Sequence, residues 1–287
     1  MTTKKGESQT AIAWLFLAPA LVLLLLFVLW PMAYLVWLGC TDGSLRDPIW
    51  VGTANYERLA TSRQFLQVLL NTAVFTAGSV VPSVVLALGA AVALDRALPL
   101  RGLLRTAYFL PTVVSLVAAG VAFRWLFHPE GWVNGALGLF GVAPVAWLSS
   151  PTWAMPVLVL LSVWKQVGFN LVVFLAGLSA VPQNRYDAAQ LDGANGWEQF
   201  WHITLPGIRP TLWFVTITTV IFTFRSFEPV YVMTGGGPLG TTNILVYYVW
   251  EQAFALFNFG LSAAAAVVLL VGVLVVTAIQ LRGAGEE

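Results

Sequence analysis

Six stretches of the sequence are each apolar for long enough to cross a lipid bilayer, and that leaves few folds open to the chain. About 20 mostly apolar residues carry a helix through the roughly 30 Å of hydrocarbon. The stretches run approximately from Ala13 to Trp37, Val68 to Leu94, Leu103 to Phe127, Trp153 to Leu178, Ile208 to Val230 and Leu261 to Leu281. Composition agrees: 59% of the 287 residues are hydrophobic and 9% are charged, against roughly 25% charged in ordinary soluble domains. A water-facing surface cannot be built from this chain, and its 13 Trp suit the headgroup level of a membrane. The expected fold is all-α, a polytopic membrane protein with about six transmembrane helices.

The first apolar stretch, Ala11 to Leu38, is much longer than the roughly 7 to 15 residues of a signal-peptide core, so it reads as a retained span. A seventh stretch, Trp132 to Leu148, is short and carries Gly135, Gly138, Gly141 and Pro144. Charge placement decides against it, because Lys and Arg favour the cytoplasmic side. With six spans and the N-terminus inside, Lys4, Lys5, Arg96, Arg101, Arg105, Arg185, Arg209 and Arg282 lie inside and Arg46, Arg58 and Arg63 outside, eight against three. A seventh span would move Arg185, Arg209 and Arg282 out, giving five against six. Both termini are therefore expected in the cytoplasm. The external loops are then Gly39 to Gln67, His128 to Thr152 and Tyr231 to Gly260, and the inner ones a turn near Asp95 to Arg101 and a polar segment from Ala180 to Gly207. The chain divides into residues 1–66, a tail with the first span and first external loop, and 67–287, a core of five spans. No internal repeat or separate soluble domain is visible.

Several functions are excluded at this level. A formal charge of +1 with no Lys/Arg run gives no footprint for nucleic acid. Cys40 is the only cysteine, so neither an intrachain disulfide nor a thiol metal cluster can form, and no metal site is expected. His128 and His202 are assigned to opposite sides of the membrane, and neither HExxH nor GxSxG is present. A P-loop needs Gly-Lys followed by Ser or Thr, whereas Lys4, Lys5 and Lys165 are followed by Lys, Gly and Gln. Gly235 to Gly237 read as a loop turn. The chain is not expected to be an enzyme, and paired inverted halves that would mark a secondary transporter are not evident.

The inner segment from Val181 to Pro210 reads VPQNRYDAAQLDGANGWEQFWHITLPGIRP. Pro182 stands before a helix that includes Tyr186 to Leu191, with Asp187 near its positive amino end. Asp192-Gly193 is a turn signal, Gly193 suiting the left-handed position that ends a helix. Asn195 with Glu198 resembles a capping pair that opens a second short helix. The expectation is helix, tight turn, helix, with small Ala residues exposed.

Asp187-Ala188-Ala189, Asp192-Gly193-Ala194, Phe200, Ile203, Leu205-Pro206 and Pro210 closely resemble the EAA loop of ABC importer permeases, EAAxxDGAxxxxxFxxIxLPxxxP. Asp187 replaces the first Glu and keeps its charge. The resemblance extends from about Asn71 to Arg282. Trp164-Lys165, Ala176-Gly177-Leu178 and Thr234-Gly235-Gly236-Gly237-Pro238 look like the sugar and glycerol-3-phosphate branch. It implies a type I importer permease of a bacterial or archaeal cytoplasmic membrane, whose loop is a coupling helix docking on a cytoplasmic ATPase. It also implies a second, similar permease subunit, two ATPase subunits that bind ATP and Mg, and an external solute-binding protein, with no cofactor held by this chain. The implied cargo is a sugar or short oligosaccharide, with glycerol-3-phosphate or a polyol phosphate as the alternative.

Lys165 falls within the fourth predicted span, and Arg225 and Glu228 within the fifth. A charge at mid-membrane costs about 2.5 to 3.5 kcal/mol on insertion scales unless it faces protein or water. All three are candidate pathway residues. Arg225 and Glu228, one turn apart, suggest an ion pair; Lys165 has no local acidic neighbour, leaving an anionic solute or a partner-subunit carboxylate.

Overall fold

The structure, a computed structural model, describes the backbone of residues 3–44, 46–95 and 101–285 and the side chains of 14–44, 46–95 and 102–282. Arg96 and the predicted inner turn between Asp95 and Arg101 lie outside the described residues, as do the side chains of Lys4, Lys5 and Arg101. Regular structure among the described residues is helical apart from one isolated bridge, Thr41 to Trp50.

Two compact units make up the chain, one running to Thr61 and taking in Val249–Val268, the other Ser62–Tyr248 with the segment from Leu269 onward. In the first, α1 (Thr3–Leu24) continues through a π turn into α2 (Trp30–Gly39). Every side chain from Trp14 to Pro31 is exposed, as befits a helix that is apolar all round and solvated by lipid. At its far end α3 (Ala54–Thr61) supplies Asn55, whose amide donates to the carbonyls of Gly39 and Thr41 at 3.0 and 2.7 Å.

The second unit holds α4 (Arg63–Asp95), α5 (Arg101–Val113), α6 (Leu116–Leu126), α7 (Trp132–Gly138) and α8 (Ala154–Ser179). The inner segment forms α9 (Gln183–Leu191), α10 (Gly196–Gln199) and α11 (Leu205–Gly207), followed by α12 (Arg209–Phe224) and α13 (Glu228–Met233). Beyond them come α14 (Leu245–Trp250) and α15 (Phe259–Gly285). At 33 residues α4 is about 50 Å long, more than the hydrocarbon requires. It packs along α8 through buried Phe75, Ser79, Ser83, Ala87 and Ala91 against Leu158, Leu161, Leu171 and Phe174. Small residues on α4 allow that close approach, as they do generally between helices in lipid.

Among the described residues four helices are long and apolar enough to cross a membrane, and up to six spans result when each of two bent pairs counts as one. The third predicted span, Leu103 to Phe127, is not one helix. Pro111 has no N–H and its ring crowds the carbonyl one turn back; α5 stops at Val113, Ser115 is extended (φ −57°, ψ 134°), and α6 leaves at 98°. The fifth, Ile208 to Val230, stops at Phe224 and resumes at Glu228, next to Pro229. At its near end α12 meets the α10 to α11 segment at 69°. The seventh stretch forms the seven-residue α7, a turn at Gly141 (φ +74°) and the start of a single 3-10 turn, Trp147–Ser149.

Two glycines on α8 explain how neighbours reach it. A Cβ at Gly168 would stand 2.1 Å from the Tyr108 carbonyl oxygen, and one at Gly177 would stand 2.5 Å from Thr211 Oγ1. Gly168→Leu is therefore expected to cost about 1–3 kcal/mol or more through overpacking, read as a lower thermal midpoint of the purified permease. Gly89→Leu, on exposed α4 surface with no atom within 4 Å of a new Cβ, should leave the midpoint unchanged; equal effects would contradict the packing.

Candidate functional site

Both broken spans open onto one cavity of about 380 Å³ in the second unit. Its walls are Thr112 and Leu116 at the α5–α6 break, Ser162, Lys165, Gln166 and Phe169 on α8, and Phe222, Thr223, Arg225, Ser226 and Glu228 at the α12–α13 break. The three charges singled out from the sequence are thus brought together. Phe169 and Phe222 meet edge to face, with ring centres 6.2 Å apart. Thr112 Oγ1, Ser162 Oγ and Gln166 Nε2 are buried without a hydrogen-bond partner among the described residues. Buried polar atoms are seldom left so in a native fold, and these three belong to residues that line the cavity.

Lys165 is engaged by backbone oxygens. Its Nζ donates to the carbonyl oxygens of Pro111 and Thr112, each at 2.9 Å, and to that of Val114. An ammonium has three donors, and all three are used. These carbonyls end α5, where helical C=O groups lack intrahelical partners and carry the negative end of the dipole.

Arg225 and Glu228 make no ion pair with each other among the described residues, contrary to the expected one-turn pairing. The spacing assumed one continuous helix, whereas α12 ends at Phe224 and α13 begins at Glu228. Sequence reasoning passed over Arg124, a further charge inside the third predicted span. Its Nη1 donates to the Val232 carbonyl at 3.4 Å, near the end of α13. Its position in the last turn of an apolar stretch was the available signal.

The inner segment has the expected helix, turn, helix form. At the end of α9, Ala194 N–H donates to the Ala189 carbonyl at 2.9 Å and Gly193 N–H to that of Gln190 at 3.1 Å. This is a Schellman closure with Gly193 left-handed (φ +83°). Asn195 Oδ1 accepts from the N–H groups of Trp197 and Glu198, and Glu198 Oε2 accepts from Asn195 N–H at 2.7 Å, completing the capping box. One expectation fails: α9 starts at Gln183, four residues before Asp187, so Asp187 lies in the second turn and not at the amino end. Pro182 is extended and caps the helix earlier; Gln183 Nε2 donates to Asp187 Oδ1 at 3.2 Å.

Val181 and Ile208, with Tyr186 and Ile203 packed beside them, seat the segment on a cluster with Ala91, Leu94, Leu178 and Val215. Tyr186 Oη and Thr204 Oγ1 are hydrogen-bonded at 3.1 Å. Phe200 and Leu205 are half-buried, as are Ala189 and Ala194, while Pro206 is exposed. Asp187, Ala188, Asp192 and Gly193 are exposed together with Leu191, which is 90% exposed at the tip. Leu191 was missed in the sequence; an apolar residue directly before an Asp-Gly turn was its only mark.

Losing the Asn195 cap removes about 1 kcal/mol. In Asn195→Ala the amides of Trp197 and Glu198 should exchange with deuterium roughly fivefold faster, and unchanged exchange would contradict the capping box.

The family model for the binding-protein-dependent transport system inner membrane component matches residues 59–282. The lactose transport system permease protein LacF of Rhizobium radiobacter is 34% identical over 280 residues, covering 96% of this chain and 94% of the relative. The sn-glycerol-3-phosphate transport system permease protein UgpA of Agrobacterium fabrum (strain C58 / ATCC 33970) is 33% identical, covering 94% and 93%. A chain from the crystal structure of a bacterial alginate ABC transporter, in complex with alginate pentasaccharide-bound periplasmic protein, superposes with a TM-score of 0.85. It is 22% identical and covers 98% of this chain and 96% of that one, a likeness of fold. With more than half its length matched by the family and close to its whole length shared with such relatives, the chain belongs to the binding-protein-dependent transport system inner membrane components, the permease subunits of ABC importers.

Proposed function

We propose that this permease translocates a sugar or short oligosaccharide, handed over by an external binding protein, through the cavity where the third and fifth spans break. The observation that carries the reading is the lining of that cavity. It offers unpartnered Thr112, Ser162 and Gln166, two phenyl rings, and one charge of each sign in Arg225 and Glu228. Hydroxyls of a sugar match the polar wall and its apolar face matches the rings. Relatives named for lactose and for arabinooligosaccharides support the same class. A polyol phosphate is the second reading, favoured by Arg225 at the cavity and by the relative named for sn-glycerol-3-phosphate.

Transport is driven from below. This chain has no P-loop, so ATP and Mg belong to two separate cytoplasmic ATPase subunits, and a second, similar permease completes the membrane assembly. Each ATPase contact is made by a loop such as the one carrying Asp187, Ala188, Ala189, Asp192, Gly193 and Ala194, with Leu191 as an apolar knob. Val181, Ile203 and Ile208 seat that loop at the foot of α12, and Phe200, Leu205 and Pro206 belong to the same segment. Both termini and this loop face the cytoplasm.

Three measurements test the reading. Among candidate solutes loaded on the binding protein, a neutral sugar should stimulate ATP hydrolysis by the purified importer; stimulation by a polyol phosphate alone would select the second reading. A cysteine at Asn195 should be labelled only from the cytoplasm and one at Gly240 only from outside, and reversed labelling would overturn the topology. A side chain at left-handed Gly193 costs roughly 1 to 2 kcal/mol, while a Cβ there meets no atom within 4 Å. Gly193→Val should therefore leave membrane insertion intact yet reduce both retained ATPase and solute uptake, and Asp187→Ala should act in the same direction. Parental assembly and transport in both variants would reduce the loop to a solvated connection.

A further inference from the structure

We propose that Lys165 is a positioning residue that clamps the broken end of α5, and so sets one wall of the transport cavity, without touching the solute. The inference rests on the cavity being the transport route only for its consequence; the clamp itself stands on geometry. Where α5 stops, the carbonyls of Pro111, Thr112 and Val114 have no following helical turn to supply N–H groups, because Ser115 is extended and α6 departs at 98°. A backbone group left without a partner inside a bilayer is strongly unfavourable. Lys165 satisfies all three at once and has no donor left over.

The neighbouring residues fit a clamp. One turn along α8, Gly168 admits the Tyr108 carbonyl so closely that no side chain would fit, which seats the preceding turn of α5 on the same helix. One of the three acceptor residues, Thr112, lines the cavity, and its hydroxyl has no hydrogen-bond partner among the described residues. Moving the end of α5 therefore moves a polar group of the wall. Replacing the ammonium with an apolar chain frees three carbonyls at the bend, and the bend has to relax to find them partners. Arginine keeps charge-assisted donors for the same oxygens, whereas glutamine keeps neutral donors only.

The test reads the bend and needs neither solute nor ATP. In a Cys40→Ser background, Ser115→Cys is reacted with a water-soluble methanethiosulfonate reagent in membranes holding the assembled importer. Lys165→Met should raise the rate by at least about tenfold, the effect of losing a charge-assisted hydrogen bond. Lys165→Gln should fall between, and Lys165→Arg should keep the parental rate. A cysteine at Leu239, 91% exposed in an outer turn, should react equally in all four. Equal rates at Ser115→Cys throughout, or a parallel rise at Leu239→Cys, would overturn the clamp. Should Lys165→Met not accumulate, Gln faster than Arg supports it and Gln equal to Arg overturns it. Failure here leaves the solute assignment standing, since that rests on the ATPase stimulation by loaded binding protein.

Discussion

A carbonyl oxygen set free inside a bilayer must find a donor in the protein, and this requirement shapes the centre of the molecule. An unbroken helix satisfies its own backbone but leaves no polar wall for a solute. Breaking the third span at Ser115 and the fifth after Phe224 supplies such a wall at the cost of orphaned backbone groups. A cation on a neighbouring helix addresses those of the third span, where Lys165 of α8 closes the end of α5. Arg124 of α6 reaches instead the Val232 carbonyl at the far end of α13, away from the break after Phe224. Along α12, Thr216, Thr219 and Thr223 turn their hydroxyls onto carbonyls one turn back, so their polarity is absorbed within the helix.

The cavity and the inner loop are the two ends of the same two helices. On α8, 14 residues separate Lys165 from Ser179, about 21 Å of helix; α12 runs from Arg209 at the loop to Phe224 at the cavity. Between them Gly177 lets Thr211 approach, and Leu171, Leu175, Leu178, Ile208 and Val215 form a buried cluster. Close-packed helices move as units. In the proposed cycle, a displacement at the Asp192-Gly193 turn is therefore delivered to the cavity wall by the packed pair and not absorbed by a soft linker. The left-handed Gly193 and the capping box serve this by keeping α9 and α10 in a fixed relation.

The sequence was informative wherever a local rule acts on residue identity. Apolar length located the spans, and Asp192-Gly193 and Asn195 with Glu198 marked the turn and its cap because those side chains make the bonds themselves. The breaks escape a search for apolar length, which counts side chains and takes no account of the N–H missing at Pro111 and Pro229. The partner of Lys165 was invisible for a related reason: its acceptors are backbone oxygens, which carry no residue signature, so a search for carboxylates could not find them. The Arg225–Glu228 pairing failed through the same oversight, because an i to i+3 rule holds only on an intact helix. Asp187 was placed one turn too early because Gln183, Asn184 and Arg185 look like a polar approach to the helix, although Pro182 had already started it.

The central claim is that the solute passes through the cavity between the two breaks. A structure of the importer trapped after delivery by its loaded binding protein tests this most directly. The expected result is solute density beside Phe169 and Phe222, within hydrogen-bonding distance of Ser162 and Gln166. A trapped complex with the solute bound in the membrane away from these residues, and the cavity closed, would contradict the account.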